Sequence, residues 1–296
     1  MFKKNRPATK DSKIGLQKIS GCDNYNRKAD VVFVHGLGGH ALSTWHPQEK
    51  SDKNSWPFWL GEELPDIGIW SFGYEAEFSG WKGKATPRFD KASNLLHCLE
   101  IDRIGERPLI FITHSLGGLL VKQMLRTAQT YQNTYQNKDY IQALIENTKG
   151  IVFLATPHTG SQLANTVAIL RRLLRTTVNV EELKAHNPWL RELDQWYRNQ
   201  IDNLGVTTLV YYESQKTSGY KVVDEDSADP KIPGVMPVEV TADHISIAKP
   251  SREGEVYRGV RHFIQQYLST PSPIPLCDLA SLEAVKQEEQ TKISNP

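Results

Sequence analysis

The sequence predicts an α/β fold with a mostly parallel central sheet, and three observations carry that prediction. Short apolar runs alternate with longer amphipathic ones, as strands do when helices cover both faces of a parallel sheet. One run, residues 108–121 (PLIFITHSLGGLLV), is an apolar strand that breaks at Ser115 and restarts at once as a helix. A chain of 296 residues, 39% of them hydrophobic, can also bury a full core as one unit.

The elements follow in order. Residues 30–34 (DVVFV) read as a short buried strand, 56–64 as a helix, and 68–74 (GIWSFGY) as the next strand. Residues 89–103 give a helix with Leu95, Leu96 and Leu99 on one side, and the broken strand and its helix come next. Residues 150–158 form another buried strand that ends at Pro157, followed by strands at 206–212 and 237–240. This makes about six main strands with Ser115 near the middle. Residues 1–27 read as an N-terminal extension, 28–268 as the domain, and 269–296 as a Pro-rich linker with a polar tail that offers a place for a protein partner.

The break at Ser115 has a chemical purpose. A free serine hydroxyl is a weak nucleophile and needs a base beside it and donors aimed at a developing oxyanion. A sharp strand-to-helix turn lifts the hydroxyl above the sheet and points the next amide, that of Leu116, at the same space. The tight crossing favours small residues two before and two after the serine; Gly117 satisfies this, whereas Thr113 replaces the usual first glycine. Upstream, the strand at 30–34 runs into His35-Gly36-Leu37-Gly38-Gly39, where glycines let the backbone approach a ligand and free an amide. Leu37 is the candidate second oxyanion donor, with Gly36 and Gly38 as alternatives. The same loop lacks the Gly-Lys pattern of a phosphate-binding loop.

These motifs resemble those of α/β-hydrolases of the serine esterase and lipase group. FVHGLGG at 33–39, HSLGGLLVK at 114–122 and FLATPHTGS at 153–161 carry the resemblance, which covers roughly residues 28–268. It implies an α/β-hydrolase fold with a helical cap insertion and a Ser-His-acid triad in the chain order serine, acid, histidine. Similar proteins include phospholipid-remodelling proteins, inositol deacylases of lipid anchors and hydrolase domains of immune-type receptors.

By that order His244, which follows the final strand, is the expected general base. His158 comes too early and suggests a structural role near the site, His186 lies in the insertion, and His262 on the last helix. Glu213, directly after the strand at 206–212, is the preferred acid; Asp226, in the acidic stretch with Asp224 and Asp229, is the alternative. The insertion at about 161–203 carries two apolar sets at helical spacing, one from Leu163 to Leu174 beside three arginines, the other Trp189, Leu190, Leu193, Trp196 and Tyr197. They are expected either to line a substrate pocket or to pack on the domain.

Composition narrows the classes. A formal net charge of +1 gives no global field for nucleic acid. Mean hydropathy of −0.47 and no run of eighteen apolar residues argue against a membrane span, which leaves peripheral contact with lipid as a lesser expectation. The basic N-terminus lacks the apolar stretch of a secretory signal, and three scattered cysteines fit a reducing, cytoplasmic setting better than a disulfide framework. No metal or organic cofactor is called for. The expected activity is hydrolysis of a lipid or other acyl ester; the competing class is a non-catalytic interaction module on the same fold.

Overall fold

In a computed structural model, the described residues are 14–47, 54–75, 86–158, 166, 168–169 and 187–268. Among them, seven strands form one sheet in the order β1-β3-β2-β4-β5-β6-β7. The strands are β1 (Gly15–Ser20), β2 (Ala29–Val34), β3 (Ile67–Gly73), β4 (Leu109–His114), β5 (Thr148–Leu154), β6 (Thr207–Glu213) and β7 (Val238–Val240). Only β1 runs antiparallel, against β3. Every residue of β2, β3 and β4 is buried, which explains why these strands read as unbroken apolar runs.

The helices are α1 (Trp56–Glu63), α2 (Thr86–Ile101), α3 (Leu116–Tyr131), α4 (Lys138–Asn147), α5 (Asn187–Leu204), the single turn α6 (Glu225–Ala228) and α7 (Glu255–Leu268). Strand alternation places them on opposite faces. Phe153 of β5 meets Tyr197 of α5, whereas Gly150, of opposite parity, lies against Phe263 of α7. The architecture is thus a mostly parallel sheet between helical layers, as an α/β-hydrolase fold requires.

β1 lies within residues 1–27, the segment anticipated as an extension, and pairs with β3 at the sheet edge. Its sequence, GLQKIS, is half-buried and interrupts Leu16 and Ile19 with the adjacent polar pair Gln17 and Lys18, so no apolar run announces it. In the insertion, Leu190, Leu193 and Tyr197 of α5 are buried, and α5 packs on α3. The first apolar set, His186 and the tail at 269–296 lie outside the described residues.

The strand order reverses at β2. From there the chain goes to β3 on one side and later to β4 on the other, which makes β2 and β4 parallel neighbours with Val34 opposite Thr113. The loops leaving these two strands therefore share one crevice at the carboxyl edge of the sheet. At the other end, the buried carboxylate of Asp30 accepts from Arg27 Nε at 2.7 Å, Trp70 Nε1 at 3.0 Å and Arg107 Nη1 at 3.2 Å. Removing it would leave the buried Arg27 uncompensated. Asp30→Ala is expected to destabilise the fold by about 3–5 kcal/mol, read as a lowered urea midpoint; a change below about 1 kcal/mol would contradict this role.

Candidate active site

Ser115 sits between β4 and α3 with φ 53° and ψ −128°. A non-glycine residue in this conformation is strained and is held by its surroundings. Three bonds do so here. Its N–H donates to Leu154 O at 2.9 Å, while its carbonyl accepts from Gly118 N at 3.2 Å and from Thr156 Oγ1 at 3.0 Å.

Two glycines make the crossing feasible. A Cβ on Gly117 would lie 2.4 Å from Val34 O and 2.5 Å from His35 O, so α3 can pass the end of β2 only without a side chain. A Cβ on Gly36 would lie 2.7 Å from Ser115 Cβ, which shows how closely the upstream loop approaches the serine. Thr113 departs from the usual glycine without conflict. It is fully buried, and its hydroxyl donates to Val152 O at 2.9 Å on the neighbouring strand.

The sheet edge brings Ser115, His244 and Glu213 together. The Ser115 hydroxyl donates to His244 Nε2 at 3.0 Å, and His244 Nδ1–H donates to Glu213 Oε1 at 3.3 Å. The second distance is long, as such bonds commonly are before an imidazolium forms. Glu213, the last residue of β6, also accepts the Val223 amide at 2.7 Å. Its second oxygen is buried with no partner among the described residues. Asp226 points elsewhere; its side chain is 87% exposed and lies 3.9 Å from Lys231. Asp224 instead caps α6 by accepting from Ser227 N, and Asp229 pairs with Lys231.

His244 is fully buried rather than a surface loop histidine. Asp243 next to it bonds the following turn through the amides of Ile245 and Ser246. The His244 backbone is held at both ends: its N–H donates to Thr217 Oγ1 at 3.0 Å, and its carbonyl accepts from His114 Nε2 at 2.8 Å. The sequence pattern assigned no role to Thr217, nor to His114 within its motif, since both act on backbone atoms. His262 is exposed on α7.

The loop after β2 is equally constrained. Gly39 N–H closes a turn on Gly36 O at 3.0 Å, with Leu37 and Gly38 at its tip and Gly38 at φ 64°. His35 Nδ1–H donates to Gly36 O at 2.9 Å, its Nε2 accepts from Tyr74 N, and the two rings stack at 4.5 Å. Among the described residues, the amides of Leu37 and Leu116 donate to no loop or turn carbonyl.

Beside Leu116 opens a shallow groove whose walls include Leu116, Leu119, Leu120, Tyr74 and Trp189, with Lys91 and Gln123 as its polar members. Of the second apolar set, Trp189 thus lines the groove, while Leu190 and Leu193 pack in the core.

A strained serine on an elbow, hydrogen-bonded to a histidine and carboxylate on later loops, defines a hydrolase-type site on an α/β-hydrolase fold. Residues 26–185 match the family described as "Putative serine esterase (DUF676)", and the chain belongs to that family. It is 34% identical over 266 residues to mouse (Mus musculus) protein SERAC1 and 33% to the human protein, in each case covering 82% of this chain and 39% of the relative. The chain therefore spans well under half the length of these curated relatives. Among solved structures, Bacillus licheniformis lipase BlEst2 is similar at a TM-score of 0.52 and 20% identity, covering 81% of this chain and 92% of that one. Legionella pneumophila phospholipase PlaB is similar at a TM-score of 0.59 and 14% identity, covering 80% and 59%. These two likenesses establish the shared fold. Among the described residues, no helix is long and apolar enough to cross a membrane.

Burial holds His35 down to about 4 and His114 down to about 3, the latter also through His244. Both imidazoles are neutral in the native protein, whereas the unfolded chain takes up protons near 6.5. Their stabilising contribution is therefore complete above about pH 6.5 and is lost as pH falls toward the native values. The Tm should fall steadily from about pH 7 to 5, and His114→Phe should flatten that slope. The same substitution removes the bond to His244 O and should lower kcat about tenfold. A Tm independent of pH across this range would contradict neutral buried imidazoles.

Proposed function

We propose that this protein is a serine hydrolase of carboxylic esters, with an apolar acyl group as the preferred substrate feature. The observation that carries the reading is the continuous hydrogen-bonded path from Ser115 through His244 to Glu213, built on a strained elbow. Membership of a serine esterase family supports it.

The chemistry follows from the geometry. His244 Nε2 accepts the Ser115 proton as Oγ attacks the ester carbonyl, and Glu213 fixes the tautomer and stabilises the imidazolium. The amides of Leu37 and Leu116 flank the serine and serve as donors to the tetrahedral oxyanion. His244 then protonates the leaving alkoxide, and a water it activates releases the acid from the acyl-enzyme. Every step uses side chains and amides of this chain.

The groove supports the acyl preference. Leu116, Leu119, Leu120 and Gln123 form one helical stripe, and seven residues of helix span about 10 Å. An extended chain of about eight carbons covers that length, taking about 1.3 Å per carbon along its axis. A cytosolic serine hydrolase acting on a lipid or another acyl ester is the corresponding biological reading. The non-catalytic reading loses its main sequence motive, since Thr113 is hydrogen-bonded and accommodated at the elbow.

Two kinetic tests discriminate. Glu213→Gln should lower kcat on a p-nitrophenyl ester by about 10²–10⁴-fold, while Asp226→Asn leaves it unchanged; the reverse pattern would sink the acid assignment. Across p-nitrophenyl esters of increasing length, kcat/KM should rise beyond acetate toward a chain of about eight carbons, and Leu120→Trp should move the optimum to shorter chains. Activity confined to acetyl esters would contradict the groove assignment.

A further inference from the structure

The helix that begins at the nucleophile carries a lysine that solvent does not reach. Lys122 is 0% exposed, one of the largest fully buried side chains in the described protein. Its ammonium donates to His158 Nδ1 at 2.7 Å and to Asp194 Oδ1 at 3.3 Å, and it lies 4.4 Å from the ring centre of Tyr197 and 5.5 Å from that of Phe153. Asp194 also pairs with Arg198 at 3.4 Å. Nothing in the ester chemistry uses this cluster. A buried charge is costly unless paired, and here the two hydrogen-bond partners come from separate elements, His158 from the turn after β5 and Asp194 from α5.

His158 ends a short turn after β5 that touches the nucleophile directly. Ala155 opens the turn at φ 49°, an uncommon conformation for a residue with a Cβ, and its N–H donates to Tyr211 O at 2.8 Å. Thr156 then donates to Ser115 O at 3.0 Å and lies where a Cβ on Gly118 would fall 2.4 Å from its hydroxyl oxygen. His158 N–H donates to Ser227 O at 2.6 Å, which ties the turn to the segment whose Val223 amide bonds Glu213. The turn thus lies between the serine and the carboxylate, with its far end gripped by Lys122.

Building on the hydrolase reading, we propose that Lys122 is a positioning residue for Ser115: its buried ammonium holds His158, and through the turn 155–158 it sets the Thr156 hydroxyl on the Ser115 carbonyl. Asp194 keeps Lys122 in place from α5, so the helix carrying groove residue Trp189 and the helix that starts at the serine are locked by the same charge. Burial lowers the Lys122 ammonium to about 8 while Asp194 favours its charged form, which leaves it charged at neutral pH. Removing the charge while keeping the stem's volume should let the turn relax and move the nucleophile, a loss felt in the chemical step rather than in substrate binding.

The test compares labelling rates of the full chain with a fluorophosphonate probe, together with kcat and KM on p-nitrophenyl butyrate. Lys122→Met should slow labelling and lower kcat by about 10²-fold, with KM within about twofold of wild type. Thr156→Val should have a similar effect, and the double variant should lose little more than either single one. Equal labelling of wild type and Lys122→Met, a change in KM alone, or additive losses in the double variant would each overturn the proposal while leaving the hydrolase reading intact. Should Lys122→Met fail to fold, Asp194→Asn takes its place: slower labelling at unchanged KM supports the proposal, and a wild-type rate contradicts it. A folded wild type that is not labelled at all would overturn both readings.

Discussion

One contact without a side chain organises this protein: Gly117 of α3 against the carbonyls of Val34 and His35 at the end of β2. That approach lets the helix leave β4 at once, and so forces Ser115 into its left-handed backbone conformation. Because β2 and β4 are parallel neighbours, the same contact brings the His35–Gly39 loop beside the serine hydroxyl. A candidate nucleophile and candidate oxyanion donors thus arise from two strand ends separated widely in sequence, at the point where strand order reverses. The carboxylate and histidine then arrive from β6 and from the loop after β7, farther along the same edge.

The imidazoles around this edge divide the work by partner. His35, His114 and His158 are buried without carboxylates and are kept neutral, and each bonds a backbone carbonyl or a lysine. His244 alone of these four has a carboxylate on one ring nitrogen and a serine hydroxyl on the other. Neutral histidines can fix geometry in a dry site without competing for the proton that catalysis moves. The cost appears as acid sensitivity, since the unfolded chain protonates them where the native one cannot.

Much of this was legible in sequence because the informative segments are buried on both faces. β2, β3, β4 and β5 read as apolar runs, and the elbow announced itself through Ser115 and Gly117. Glu213 was preferred from its place at the end of a strand, with Asp226 as the alternative; the fold sets Glu213 beside His244 and leaves Asp226 exposed. β1 was hidden because, as a half-buried edge strand with adjacent polar residues Gln17 and Lys18, it shows neither an apolar run nor a clean alternation. His114, Thr217 and Val223 were hidden for another reason: they hold the site through backbone groups, and no spacing rule encodes a bond across 130 residues of chain. Thr113 looked like a flaw because its partner, Val152 O, becomes adjacent only when β4 pairs with β5.

On the proposed function, Ser115 forms a covalent acyl-enzyme with His244 as its base. Rapid mixing with p-nitrophenyl butyrate, followed by acid quench and mass analysis of the peptide containing Ser115, tests this directly. A burst of about one p-nitrophenolate per active chain is expected when deacylation is slow, with the butyryl mass on Ser115 and neither burst nor adduct in Ser115→Ala. Turnover with the adduct on another residue, or a burst that survives in Ser115→Ala, would contradict it.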